Sequence, residues 1–254
     1  MPYVHTAETD LFYTEKVGPE DGPVLVLIHG AGGSRLHWPP QLRRMTGATV
    51  YALDLPGHGR SHGEGSRTIE AYGVAVLSFL DGVGVESAVV VGHSMGGAIA
   101  LELGVSEQER LAALVLIGTG ARLRVDPAIL EGVTSDFSQV VDVVTESAWS
   151  GAADQSLREI GRTALRETGP DIVLGDFVAC DRFDVVGRLG EIETPTLVVV
   201  GSDDRLTPVK YSRFLSERVA SASLVIVQEA GHMVMLERPD EVGEAIRRFV
   251  MTNR

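Results

Sequence analysis

The chain has 254 residues, of which 44% are hydrophobic and 22% charged, so one large apolar core is expected. Its formal charge of −13 excludes nucleic acid and anionic membranes as main partners, because both require basic patches. The single cysteine, Cys180, excludes an intrachain disulfide and fits a reducing compartment. We therefore expect a cytoplasmic protein with no signal peptide and no membrane span, either a monomer or a homodimer.

The N-terminal part alternates predicted strands and helices. Apolar runs predict strands that are covered on both faces, and apolar residues at helical spacing predict the helices. In chain order the predicted elements are one or two antiparallel edge strands within 3–17, a strand at 24–28, a helix over 39–45, a strand at 50–53 and a helix over 68–83.

A Gly-x-Ser-x-Gly pattern follows the next predicted strand. Three valines at 89–91 predict a buried strand, and a run of small residues after Ser94 predicts the start of a helix. Gly92 and Gly96 flank the serine where side chains would collide with neighbouring backbone. This arrangement is typical of a nucleophile elbow, in which a serine hydroxyl projects from a sharp strand-to-helix turn.

The alternation of strands and helices is interrupted only once after this point. Residues 121–190 mix acidic and apolar residues at helical spacing and predict three to five short helices that cap the edge of the sheet. Residues 1–120 and 191–254 then form the core. The remaining predicted elements are strands at 114–117, 196–200 and 224–227, a helix with Thr207 as N-cap and Pro208 in the first position, and a closing helix over 239–251.

A serine nucleophile needs a base and a group that orients the base. Parallel sheets bring such residues together in loops at the carboxyl ends of their strands. His232 follows the last predicted strand, and both Asp203 and Asp204 follow the strand at 196–200. Either aspartate could orient His232.

Five motifs occur in the order expected for one family. The likeness runs from about Val24 to the C-terminus and weakens between about Ala121 and Gly190. By these motifs the chain resembles the α/β-hydrolase superfamily, which implies a mostly parallel eight-stranded sheet flanked by helices, with a helical cap. The motifs are His29-Gly30-Ala31-Gly32-Gly33, Asp54-Leu55-Pro56-Gly57-His58-Gly59-Arg60-Ser61, Gly92-His93-Ser94-Met95-Gly96-Gly97, Gly201-Ser202-Asp203-Asp204-Arg205-Leu206-Thr207-Pro208 and Gly231-His232.

The resemblance implies a role for several residues. The order serine, acid, histidine leaves His232 as the base, and the residues after Asp204 match the family pattern for the acid better than those after Asp203. The backbone N–H groups of Met95 and Ala31 would form the oxyanion hole, with Gly32 as the alternative to Ala31. The predicted substrate contacts are Gly30, Gly32, Trp38, Leu206 and Met233.

The predicted activity is hydrolysis of a small to medium carboxylic ester, a lactone or a thioester through an acyl group on Ser94. No cofactor and no metal is expected. A carbon–carbon bond hydrolase or a cofactor-free perhydrolase would use the same residues, and a small-molecule receptor with slow turnover is a further alternative. The glycine-rich loop lacks the Gly-Lys-Ser/Thr sequence of a nucleotide-binding loop, which argues against nucleotides.

Overall fold

A single sheet forms the centre of the molecule in the computed structural model, which describes residues 2–6 and 9–253. Its strands in these residues are β1 (Tyr3–His5), β2 (Asp10–Lys16), β3 (Val24–Ile28), β4 (Thr49–Leu53), β5 (Ala88–His93), β6 (Leu111–Ile117), β7 (Thr196–Gly201) and β8 (Ala222–Val227). The strand order is β1-β2-β4-β3-β5-β6-β7-β8. The first two strands pair antiparallel and the other six are parallel, as the sequence predicts.

Helices cover both faces of the sheet, because alternate residues of each central strand point in opposite directions. In β3, Val26 and Ile28 join one apolar core, and Leu25 and Leu27 join the other. The helices of the described chain are α1 (Pro40–Arg43), α2 (Ile69–Gly82), α3 (Met95–Ser106), α4 (Pro127–Ser135), α5 (Phe137–Ala148), α6 (Gln155–Thr168), α7 (Pro170–Arg182), α8 (Val209–Arg218), α9 (Val234–Glu237) and α10 (Pro239–Thr252). None of them combines the length and the apolar composition that crossing a bilayer would require.

Four helices, α4–α7, lie between β6 and β7, and we call them the inserted helices. Asp126, Asp136 and Asp154 begin the first three by accepting hydrogen bonds from backbone N–H groups of the first turn. The inserted helices share a small apolar core of their own that includes Val141 and Leu165. Their number agrees with the prediction of three to five, and the division of the chain into a core and a cap stays a prediction.

The predicted start of α8 is wrong by one position. Pro208 is the N-cap residue and Val209 begins the helix, so Thr207 does not cap it. The hydroxyl of Thr207 instead donates a hydrogen bond to Asp204 Oδ2 at 2.7 Å. The residue that resembles a helix cap therefore belongs to the arrangement around Asp204.

Candidate active site

Ser94 occupies a sharp turn between β5 and α3. Its backbone is left-handed, with φ 54° and ψ −114°, a conformation that non-glycine residues rarely adopt. Four hydrogen bonds fix it: Ser94 N–H donates to Ile117 O, and Ser94 O accepts from the N–H groups of Gly97 and Ala98 and from the Thr119 hydroxyl. The strained turn predicted from Gly-x-Ser-x-Gly is therefore present, and neighbouring strands support it.

Two glycines let the backbone of this turn pack closely against its surroundings. A Cβ atom at Gly92 would lie 2.0 Å from Gly96 O, and one at Gly96 would lie 2.2 Å from Ile28 O. Neither distance is compatible with a methyl group, because the obstacle in each case is backbone. The glycines are required by contact, as the sequence analysis predicts.

We expect Gly96→Ala to lower the free energy of unfolding by about 1–3 kcal/mol or more, the usual cost of overpacking. Alanine is the better helix former, so a stabilising result would contradict the contact argument. Gly151→Ala is the matched control, since a Cβ atom there meets nothing within 4 Å. Urea denaturation of the two variants beside wild type measures the difference.

Asp204 and His232 form a buried hydrogen-bonded pair at the carboxyl ends of β7 and β8. Asp204 Oδ2 accepts a hydrogen bond from His232 Nδ1 at 2.9 Å, and Asp204 Oδ1 accepts from the backbone N–H groups of Leu206 and Thr207. Burial raises the pKa of Asp204, but the charge of His232 and these hydrogen bonds outweigh it and hold that pKa below its ordinary value. The carboxylate is therefore ionised and holds the Nδ1–H tautomer, which leaves Nε2 as an acceptor.

Two further residues fix the backbone around His232. His93 Nε2 donates to His232 O at 3.0 Å, and Glu237 accepts a hydrogen bond from Gly231 N–H at 2.9 Å. Burial and the neighbouring charge of His232 hold the pKa of His93 well below its ordinary value, so this ring is neutral. The sequence analysis did not identify the contribution of Glu237. Its place five residues after His232, on α9, carries no recognisable motif.

Ser94 and His232 line the same small cavity, of about 90 Å³. Gly30, Ala31, Leu206 and Met233 line it as well, and their roles in binding stay predictions. Typical pockets for drug-sized ligands have about 300–1,000 Å³. The cavity therefore has room for only a small group beside Ser94.

Two predicted substrate contacts, Trp38 and Gly32, do not line this cavity. The side chain of Trp38 is fully buried and packs in the apolar core that also contains Leu42. Gly32 has a left-handed φ of 61°, and its N–H donates to Asp176 Oδ2 at 2.7 Å. The indole turns into the core and the Gly32 backbone turns towards the inserted helices, so this structure places neither residue against a group in the cavity.

The hydrogen bond from Gly32 N–H to Asp176 distinguishes Ala31 from Gly32 as the second donor of the oxyanion hole. Because Asp176 takes the N–H of Gly32, that group is not free to bind a ligand. No described residue accepts a hydrogen bond from the N–H groups of Ala31 or Met95. The geometry thus favours Ala31 over Gly32, and Met95 is the first residue of α3, directly after Ser94.

Asp176 connects α7 to the loops next to Ser94. Its fully buried carboxylate accepts hydrogen bonds from Gly32 N–H, from His58 Nε2 at 2.8 Å and from the Tyr72 hydroxyl at 2.6 Å. Burial lowers the pKa of His58, but the charge and hydrogen bond of Asp176 outweigh burial and raise that pKa above 6.5. His58 is a buried charged partner of Asp176, and the sequence analysis assigned it only to a turn.

We expect Asp176→Asn to lower the free energy of unfolding by about 3–5 kcal/mol, because it leaves His58 buried without its counter-charge. The folded-state pKa of His58 is raised. The stability that its charge contributes is therefore complete below about pH 6.5, the unfolded pKa of histidine, and is lost as the pH rises through the folded-state pKa. The gap between wild type and variant should therefore narrow at alkaline pH. Urea midpoints from pH 5.5 to 9 test this, and the exposed Asp171→Asn on α7 is the control. A gap that widens with pH would contradict it.

Metal binding has no obvious site in the described part of the chain. No three His, Cys, Asp or Glu side chains lie together there in a way that could hold an ion.

Comparison with known proteins gives the family. A sequence profile of the alpha/beta hydrolase family matches residues 25–245. The chain belongs to this family.

The relatives of the chain agree with this assignment. It is 36% identical to a structure described as a thermophilic esterase, with a TM-score of 0.87 and coverage of 99% of this chain and 97% of that one. It is 30% identical to "Putative carbamate hydrolase RutD" from Pseudomonas savastanoi pv. phaseolicola, over 86% of this chain and 90% of that protein. It is 26% identical to 3-oxoadipate enol-lactonase 1 from Acinetobacter baylyi, over 92% and 90% respectively.

Proposed function

We propose that the chain is a serine hydrolase that cleaves short carboxylic esters, including cyclic esters, with Ser94 as nucleophile, His232 as base and Asp204 as the orienting acid. One observation carries the proposal. The serine of a strained elbow and the histidine of a buried Asp204–His232 pair line one small cavity. Asp204 holds the Nδ1 side of the His232 ring, and His232 lines the same cavity as Ser94, which supports a role for this histidine beyond packing.

The chemistry is acyl transfer in two halves. His232 Nε2 takes the proton of Ser94 as Oγ bonds to the ester carbonyl, and the Ala31 and Met95 N–H groups stabilise the oxyanion. His232 then gives the proton to the leaving alkoxide as its bond to the acyl carbon breaks. Water, deprotonated by His232, attacks the acyl group in the same way and releases the acid and Ser94.

The named relatives support esters as the substrate class. One is described as an esterase and another as an enol-lactonase, and lactones are cyclic esters that use the same steps. The cavity volume supports a short acyl group, because about 90 Å³ has no room for a long chain.

The proposal is tested by hydrolysis of p-nitrophenyl esters from acetate to palmitate. We expect the highest kcat/KM at four acyl carbons or fewer and a steep fall beyond. A single flat profile would contradict the size argument. Failure to hydrolyse any ester, combined with tight binding of a small molecule, would favour a receptor. Cleavage of a carbon–carbon bond in a test substrate, without hydrolysis of any ester, would favour a carbon–carbon bond hydrolase.

A further inference from the structure

Besides His93 Nδ1, two buried polar atoms of residues that line the cavity have no hydrogen-bond partner among the described residues. They are Thr145 Oγ1, on α5, and His37 Nε2, in the loop after β3. Their residues are only 2% and 7% exposed. Both residues line the cavity that contains Ser94 and His232, which is the space that an acyl group would occupy.

An unpaired hydroxyl is unusual for a threonine inside a helix. Such side chains commonly bond to the backbone carbonyl of the preceding turn. On α6 the Thr168 hydroxyl bonds to Ala164 O at 3.0 Å, and on α10 the Thr252 hydroxyl bonds to Arg248 O at 2.9 Å. Thr145 makes no such bond, although the large majority of buried side-chain polar atoms in folded proteins are paired. Its hydroxyl therefore lacks a partner that a ligand could supply.

His37 offers a neutral partner. Burial and the charge of His58 lower the pKa of His37 to about 4, so the ring carries no charge near pH 7. A neutral imidazole nitrogen pairs with a neutral oxygen or hydroxyl of a ligand and does not need a carboxylate.

The remaining unpaired atoms are placed differently. His93 Nδ1 lies close to Gly30, since a Cβ atom added to Gly30 would be only 3.0 Å from this nitrogen. The others belong to residues that do not line this cavity, namely Arg35, Trp38, Ser150 and Ser212. Thr145 and His37 therefore stand out as polar groups available to an acyl chain.

We propose that the acyl group of the substrate is short and carries a second, uncharged oxygen, as in a hydroxy or keto acid, which bonds to Thr145 Oγ1 and His37 Nε2. This inference rests on the proposed function. The other groups that line the cavity are mostly apolar, and no Arg, Lys, Asp or Glu of the described chain lines it. The absence of a cation argues against an acyl group with a free carboxylate, because a buried unpaired charge is costly.

The test compares p-nitrophenyl butanoate with its 2-hydroxy and 3-hydroxy derivatives and with the succinate monoester. Each rate is divided by the alkaline hydrolysis rate of the same ester, which removes differences in intrinsic reactivity. We expect kcat/KM for the better hydroxy ester to exceed that for butanoate by about 10-fold, the value of one good hydrogen bond. The succinate monoester should be the poorest of the four.

Thr145→Val isolates the hydroxyl without changing the shape of the side chain. We expect the hydroxy-to-butanoate ratio to fall to about 1 and the Tm to stay equal or to rise, because an unpaired buried hydroxyl is removed. A merely structural hydroxyl would instead lower the Tm when removed. Thr134→Val is the control, since that exposed hydroxyl bonds to Glu131 O of its own helix, α4.

The outcomes separate this inference from the proposed function. Hydrolysis of butanoate without any preference for the hydroxy esters, or a preference that survives in Thr145→Val, would overturn the inference alone. Hydrolysis of none of the four esters would overturn the proposed function and the inference together.

Discussion

Replacing Ser94 with alanine should lower kcat on p-nitrophenyl butanoate by about six orders of magnitude, the loss seen when a triad nucleophile is removed. Alanine lacks the oxygen that would bond to the acyl carbon, so no acyl group can be transferred to the chain. Water could still attack a bound ester, assisted by the Ala31 and Met95 N–H groups, which accounts for a small residual rate.

The fold should survive this change. The hydrogen bonds that fix residue 94 involve its backbone, and alanine keeps that backbone. Equal urea midpoints for wild type and Ser94→Ala would show that the loss is chemical. Treatment with a fluorophosphonate should add one phosphonyl group to wild type and none to the variant, as measured by intact mass. An active Ser94→Ala variant would exclude the serine mechanism.

Replacing Asp204 with asparagine should lower kcat by about 10⁴-fold, with a smaller change in KM. The amide can donate to His232 Nδ1 and so stabilise the tautomer whose Nε2 carries the proton, and that tautomer cannot accept the proton of Ser94. The amide also offers no charge to stabilise the imidazolium that forms during the reaction. Steady-state kinetics with the best p-nitrophenyl ester measure both parameters.

The adjacent aspartate supplies the matched control. Asp203 accepts a hydrogen bond from the Ser202 hydroxyl and makes no contact with His232 in the structure. Asp203→Asn should therefore keep kcat within about threefold of wild type, since it changes a residue outside the pair. A large loss in Asp203→Asn together with an active Asp204→Asn would reverse the assignment of the acid.

Local chemistry explains why most of the fold was predictable. Runs such as 24–28 and 89–91 are apolar enough to be strands whatever surrounds them. The elbow at Ser94 was predictable because a side chain at Gly92 or Gly96 would collide with backbone a few residues away or in the neighbouring strand. Position after a strand indicated His232 and either Asp203 or Asp204, and the resemblance to the family favoured Asp204, although Thr207 was mistaken for a helix cap.

Other features depend on contacts that no local pattern encodes. Asp176 lies 144 positions after Gly32, the residue whose N–H it binds, and nothing in the sequence around either residue indicates the contact. Trp38 was predicted as a substrate contact, but a sequence does not specify the direction of a side chain. Thr145 was not identified, since its importance lies in a hydrogen bond that it does not make.

The single thiol of the chain allows exposure of α7 to be measured by chemical labelling. Cys180 lies on that helix, one turn after Asp176, packed against the main apolar core. Cys180 is buried, and burial raises the pKa of its thiol far above the ordinary value, so we expect a disulfide reagent to label it only when the thiol becomes exposed. The labelling rate therefore reports how often the thiol on α7 becomes exposed. No engineered cysteine is needed, because the sequence contains only one. A ligand that fills the cavity next to Ser94, which α6 and α7 also line, should lower the labelling rate in proportion to its occupancy.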